Sequence, residues 1–218
     1  MTDWASHLER ELDRSADGER RLPEIADPDA RQRQLTRLGN AANGAALCFL
    51  MLGERELAAG WFERAAERWR ESYASAPPGS WGRLIGSIKA RILAGDRAGA
   101  EADARWALEE RAGDADSPIG RYAACLALLV LGADDEALPL AASLRARDDF
   151  PSAVADALVA LADGDAERYA RAAADVLASF EARDDYLDDV PVADTVITLQ
   201  KLAERRRLAA ELSSPLLP

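Results

Sequence analysis

The feature that most constrains this chain is a pattern that occurs four times. An apolar run ends in glycine, an acidic residue follows within two positions, and a second, alanine-rich run begins. The segments are LMLGERELAAGWFERAAERW, ILAGDRAGAEADARWALEE, LVLGADDEALPLAASLRA and ALADGDAERYARAAADVLAS. Their glycines, Gly53, Gly95, Gly132 and Gly164, stand 42, 37 and 32 residues apart. Five residues after each glycine comes Ala58, Ala100, Ala137 or Tyr169; nine after comes Phe62, Ala104, Ala141 or Ala173. The physical unit that fits is a helical hairpin. Glycine takes the left-handed conformation that closes one helix, the acidic residue caps the next or complements its dipole, and small residues let the two helices approach. One such pair cannot bury its apolar faces alone, so neighbours must stack.

Composition supports helices throughout. Alanine, the strongest helix former, supplies 47 of the 218 residues. A first amphipathic helix is expected over residues 3 to about 17, with Trp4, Leu8 and Leu12 on one face. After a loop holding Pro23, Asp27 caps a long helix running from Pro28 to Leu52. Further starts are marked by Ser80 after Ala76-Pro77-Pro78-Gly79, by Ser117-Pro118 and by Phe150-Pro151-Ser152. A last helix is expected over residues 192 to 212, with Asp188 or Asp189 as its cap, and the proline-bearing tail is expected to fold back through its leucines. The sum is an all-α chain: an irregular right-handed array of antiparallel helical hairpins, about ten helices in all. It is read as one domain over residues 1–218, with an N-terminal helix and loop (1–26), the hairpins (27–187) and a closing helix and tail (188–218).

Leu52-Gly53 and Leu131-Gly132, followed by Ala58 and Ala137, resemble the tetratricopeptide-type repeat, which places Leu-Gly near the end of its first helix and alanine early in its second. The intervals drift from the regular period of about 34 residues, so the resemblance implies an irregular superhelix. The Ser80-Trp81 segment, Ala94-Gly95-Asp96 and the closing DDVPVADTVITLQKLAERRRL are similar to an all-helical immunity-protein family of polymorphic toxin systems. That resemblance implies a protein that binds and neutralises a toxin.

Charge narrows the partners. Asp and Glu number 39 against 27 basic residues, of which only Lys89 and Lys201 are lysines. A formal net charge of −12 offers no basic footprint for nucleic acid. GC-rich codon usage and a high-salt cytoplasm both select such a composition, so an actinobacterial or a haloarchaeal origin fits, and the excess of Asp over Glu, 22 to 17, favours the halophile. The polar opening MTDWASHLERELDR points to a cytoplasmic protein. The longest apolar run, residues 123 to 131, is about half the length a bilayer requires. Cys48 and Cys125 sit inside apolar runs and read as small buried hydrophobes.

The residues give no enzyme signature. His7 is the only histidine and is expected on an exposed face. Neither a phosphate-binding glycine loop nor an EF-hand spacing occurs, and the acidic run Asp184-Asp185-Tyr186-Leu187-Asp188-Asp189 reads first as a solvated loop. No cofactor or metal is expected. The alternatives are a ligand site or enzyme using carboxylates and arginines inside the array, and a self-associating structural protein. The interaction reading has more material. Asn40 and Asn43, the only asparagines, sit mid-helix although asparagine is a poor helix former. Two readings stay open for them: a polar groove for a partner, or a cross-helix hydrogen bond. Arg37 lies on neighbouring helical positions, and Trp81, Arg83, Arg121 and Tyr122 extend the candidate partner-binding set, aromatic and arginine anchors being the usual hot-spot types. Trp61, Phe62, Trp69 and Trp106 are assigned to the core.

Overall fold

Glycine punctuation becomes backbone geometry at all four predicted positions: Gly53, Gly95, Gly132 and Gly164 have φ of 83°, 76°, 74° and 72°. The computed structural model describes residues 2–186 and 189–218. Among these it is all-α, with ten α-helices and no strand. They are α1 (Trp4–Arg21), α2 (Pro28–Met51), α3 (Arg55–Tyr73), α4 (Trp81–Ala94), α5 (Arg97–Glu109), α6 (Pro118–Leu131), α7 (Asp134–Arg145), α8 (Ser152–Asp163), α9 (Ala166–Glu181) and α10 (Asp194–Arg206). The eight residues at fixed offsets from the glycines, from Ala58 and Phe62 to Tyr169 and Ala173, are all buried. The repeat is therefore a packing pattern as well as a turn pattern.

The chain divides into two compact units, and the boundary after Asp96 separates α4 from α5, the helices on either side of Gly95. The first unit holds residues 1–96 with the short stretch 185–192; the second holds residues 97–184 and 193–217. In the first, α1 packs on α2, α2 on α3 and α3 on α4. In the second, α5 to α9 pack in sequence order and α10 lies against α8 and α9.

Local chemistry explains several helix ends. The Asp27 carboxylate accepts from Ala30 N at 2.6 Å and Asp165 from Arg168 N at 2.9 Å, both N-cap bonds of the expected kind. Ser117 caps α6 through Gly120 N at 3.4 Å. Ser80 differs: its hydroxyl donates to the Pro77 carbonyl at 2.6 Å, stabilising the turn before α4 instead of capping the helix. The last helix is also shorter than expected, starting at Asp194 and ending at Arg206. Arg207 turns left-handed at φ 60°, and the Gln200 carboxamide takes over the Ala210 N–H and C=O, which spares that segment the helical ladder. Asp189, expected as a cap, lies five residues before α10 in a left-handed conformation of its own; Asp188 lies outside the described residues. The tail does fold back: Leu216 is buried, and its carbonyl accepts from Ala193 N at 3.0 Å.

The face that α1 buries is not the one its leucines mark. Trp4, Leu8 and Leu12 are half-buried, while Glu11, Ser15 and Gly18 are the buried residues. Small and polar side chains occupy this seam because α2 comes unusually close. A Cβ at Gly18 would sit 2.7 Å from both Gln34 Nε2 and Leu38 Cδ2, and one at Gly44 would sit 2.9 Å from Glu11 Cγ. Trp106, assigned to the core, is only half-buried, as is Trp61, whose ring carries Arg64 at 4.7 Å; Phe62 and Trp69 are buried as expected.

Candidate functional site

Between α1 and α2, inside the first unit, lies a cleft of about 460 Å³. Two of the predicted partner-binding residues, Arg37 and Asn40, line it from α2 together with Gln34. Opposite them stand Glu11, Arg14, Asp17 and Arg21 of α1, and Asp189 closes one side. Only Gly18, Leu38 and Ala41 contribute apolar surface.

The geometry of Asn40 depends on two glycines. Trp69 of α3 is buried between α2 and α4, where a Cβ at Gly39 would lie 2.6 Å from its Nε1 and a Cβ at Gly86 would lie 2.8 Å from Cε3. Those missing side chains let the indole reach Asn40, whose Oδ1 accepts from Trp69 Nε1 at 3.1 Å. An indole nitrogen can only donate, so the bond fixes which end of the amide faces Trp69. Asn40 Nδ2 is left with two N–H groups and no hydrogen-bond partner among the described residues. Interior glycine costs a helix about 1 kcal/mol relative to alanine. Retaining Gly39 and Gly44 in α2 thus costs about 2 kcal/mol of local preference, offset by packing that larger residues would block.

Glu11 anchors the other wall. Its side chain is fully buried, and Oε1 accepts from Arg10 Nε at 2.9 Å and Arg14 Nη1 at 3.0 Å. Its second oxygen packs against Gly44 without a hydrogen bond. Arg14 also lies 3.9 Å from the Asp189 carboxylate, and Arg21 pairs with Asp17 at 2.7 Å. Arg37 is exposed and has no ion pair or hydrogen bond among the described residues. His7, one turn before Glu11, is half-buried rather than exposed, and its Nδ1 is buried without a partner. Burial, reinforced by the nearby Glu11 charge and opposed by Arg10, pushes the Cys48 thiol up to about 12; burial alone does the same for Cys125. Both are free thiols held in the protonated form.

The remaining predicted residues lie elsewhere. Asn43 is half-buried one turn beyond Asn40, outside the cleft lining. Trp81 is half-exposed at the start of α4. Arg83 ties α4 to α2: Nε donates to Thr36 Oγ1 at 3.1 Å and Nη2 to Gln32 Oε1. Its guanidinium is thus tied into the fold. Arg121 and Tyr122 belong to the second unit. Arg121 pairs with Asp116 at 3.4 Å, while Tyr122 is buried with its ring 5.5 Å from Phe150, so it is a core residue and not a surface anchor. Residue-level reading also missed Glu11, Arg14 and Gln34. A usable signal existed: Glu11, Ser15, Gly18 and Leu22 follow i, i+4, i+7, i+11 spacing, which places a polar, small-residue face opposite the LGNAANGA run of α2.

Charge is distributed unevenly along the chain. Residues 1–96 carry 15 acidic and 14 basic groups, whereas residues 97–218 carry 24 and 13. With Asp185, Asp188 and Asp189 of the stretch 185–192 included, the first unit carries 18 acidic and 14 basic groups and the second 21 and 13, so the cleft belongs to the less acidic unit. Among the described residues, no helix is long and apolar enough to cross a membrane. No protein-family model matches the chain, and neither a curated protein nor a solved structure does so.

Proposed function

We propose that the chain is a protein-binding helical module, with the α1–α2 cleft as its recognition surface, and that it acts by occluding its partner. The observation that carries this reading is the convergence of Arg37 and Asn40 on one cleft, with the Asn40 amide held in one orientation by Trp69. Pockets that enclose small molecules are mostly apolar with a few polar groups. Here the proportions are reversed, since eight of the eleven lining residues are polar or charged. Such a lining suits the side chains of a protein surface, where arginine is enriched. The similarity to immunity-type helical proteins favours a toxin as the partner, because masking an active site asks only for complementary surface.

The test is a random peptide library displayed on phage and selected against the full chain. Selected peptides should lose at least tenfold in affinity when Arg37→Gln is introduced and keep it when Arg121→Gln is, with helical circular dichroism unchanged in both. Peptides indifferent to Arg37 and to Asn40→Asp would refute the cleft as the recognition surface.

A further inference from the structure

We propose that the group the cleft receives is a carboxylate, the Asp or Glu side chain of a partner protein, bound jointly by the Arg37 guanidinium and the Asn40 amide nitrogen. This inference rests on the reading of the cleft as a recognition surface and specifies its chemistry. Three observations lead to it.

First, most of the other charges in the cleft are engaged. Arg14 is held by Glu11 at 3.0 Å and Arg21 by Asp17 at 2.7 Å. Glu11 has one oxygen taken up by Arg10 and Arg14 and the other closed off against Gly44. Arg37 stands alone as a cation with no counter-ion in the described structure. Second, Asn40 has unused donors. Its oxygen is turned to Trp69 Nε1, and an amide so oriented has its N–H groups at the other end, open to what enters the cleft. Third, the two donors are three residues apart on one helix, which puts them on the same face with Cβ atoms about 5–6 Å apart. One carboxylate, with two acceptor oxygens, can span that separation, and a guanidinium matches it in shape as well as charge.

The carboxylates of Glu11, Asp17 and Asp189 in the same cleft argue against a phosphate. They would repel a dianion more than a monoanion, while a single free guanidinium gives the dianion too little compensation. Approach is not barred by the protein's overall acidity. The first unit, with 18 acidic and 14 basic groups, is the less acidic of the two, and salt screens more distant charge beyond about 8 Å at physiological ionic strength.

The experiment uses the ¹⁵N-labelled full chain and four probes: N-acetyl-aspartate N-methylamide, its asparagine analogue, its arginine analogue and inorganic phosphate. The Asn40 side-chain NH₂ and Arg37 Nε–H resonances report binding. The aspartate probe should shift both saturably with a millimolar Kd, and the asparagine analogue should not saturate. Arg37→Gln should weaken the aspartate probe at least tenfold. Asn40→Asp, which keeps an acceptor for Trp69 but replaces the free donors by an anion, should abolish it. Equal response to the asparagine analogue, preference for phosphate or the arginine analogue, or indifference to Arg37→Gln would each overturn the assignment. The two readings fail separately. Library peptides that need Arg37 while the aspartate probe does not bind would leave the protein-binding module standing and remove only the carboxylate. An aspartate probe that binds while library peptides ignore the cleft would leave an anion site and remove the module.

Discussion

The first unit and the second are built by the same hairpin rule and differ in what fills the seams. In the second, α6 is buried continuously from Tyr122 to Val130, and alanines such as Ala137, Ala141, Ala155 and Ala173 line the helix contacts. Polar groups are present there too: Arg206 reaches the Asp134 carboxylate and the Leu129 carbonyl at 2.7 Å, the Tyr169 hydroxyl donates to Gln200 Oε1 at 2.9 Å, and Asp103 and Thr198 are buried. In the first unit the corresponding seams hold a buried glutamate, a tryptophan between two glycines and a half-buried asparagine. Alanine packs helices closely and leaves nothing to recognise. Glycine in the same positions admits a large polar neighbour, and the polar neighbour carries chemistry. The contrast locates the candidate site: it lies where the regular packing solution was set aside at a cost in helix propensity.

Three experiments sharpen this contrast. The largest effect is expected from Trp69→Ala, which empties a socket that Gly39 and Gly86 keep open; large-to-small changes at buried aromatics cost about 3–5 kcal/mol. Thermal unfolding of the full chain should show it, together with increased mobility of the Asn40 side chain by NMR. A loss below about 1 kcal/mol would mean that the socket collapses freely and that the two units pack alike after all. A smaller effect is expected from Gly39→Ala. Its Cβ would lie 2.6 Å from Trp69 Nε1, and overpacking of this kind costs about 1–3 kcal/mol. The same change at Gly60, a helical position with nothing within 4 Å, should instead stabilise by about 0.5–1 kcal/mol. Denaturant midpoints of the two variants should move in opposite directions, and shifts of one sign would break the argument from close approach.

The smallest effect concerns charge. Screening should relieve self-repulsion in the second unit, where acidic groups outnumber basic ones 21 to 13, because the Debye length falls to about 3 Å at 1 M salt. Going from low to molar KCl should raise the melting temperature. Hydrogen exchange should show the added protection mainly at amides of α6 to α9, with little change in α2 and α3. A uniform or flat response would count against a salt-adapted second unit.

Hairpin architecture was readable from local rules, because each one acts within a few residues. Gly132 closes α6 whatever α6 touches, and Asp27 and Asp165 cap helices that begin beside them. Where a cap competes with another bond, the rule weakens, as at Ser80, whose hydroxyl turns to Pro77 instead. The site was half legible. The mid-helix asparagines stood out as costly residues, and Arg37 lay beside them. Glu11 did not stand out, since in an acidic chain one more glutamate on a helix with three large apolar residues gives no local sign of burial. Nor could spacing tell Arg37, left free, from Arg83, which is bound to Thr36.

By itself, then, the sequence determined an all-α chain of about ten helices, the glycine-marked ends of four of them, and the positions buried at fixed distances from each glycine. These follow from backbone conformation and helical periodicity, both properties of neighbouring residues. Tertiary structure decided which face of α1 is buried, which end of the Asn40 amide is left open, and which arginines are consumed by the fold. Those outcomes depend on how closely two helices distant in sequence approach, and that distance is set by glycines on one helix meeting bulky side chains on another.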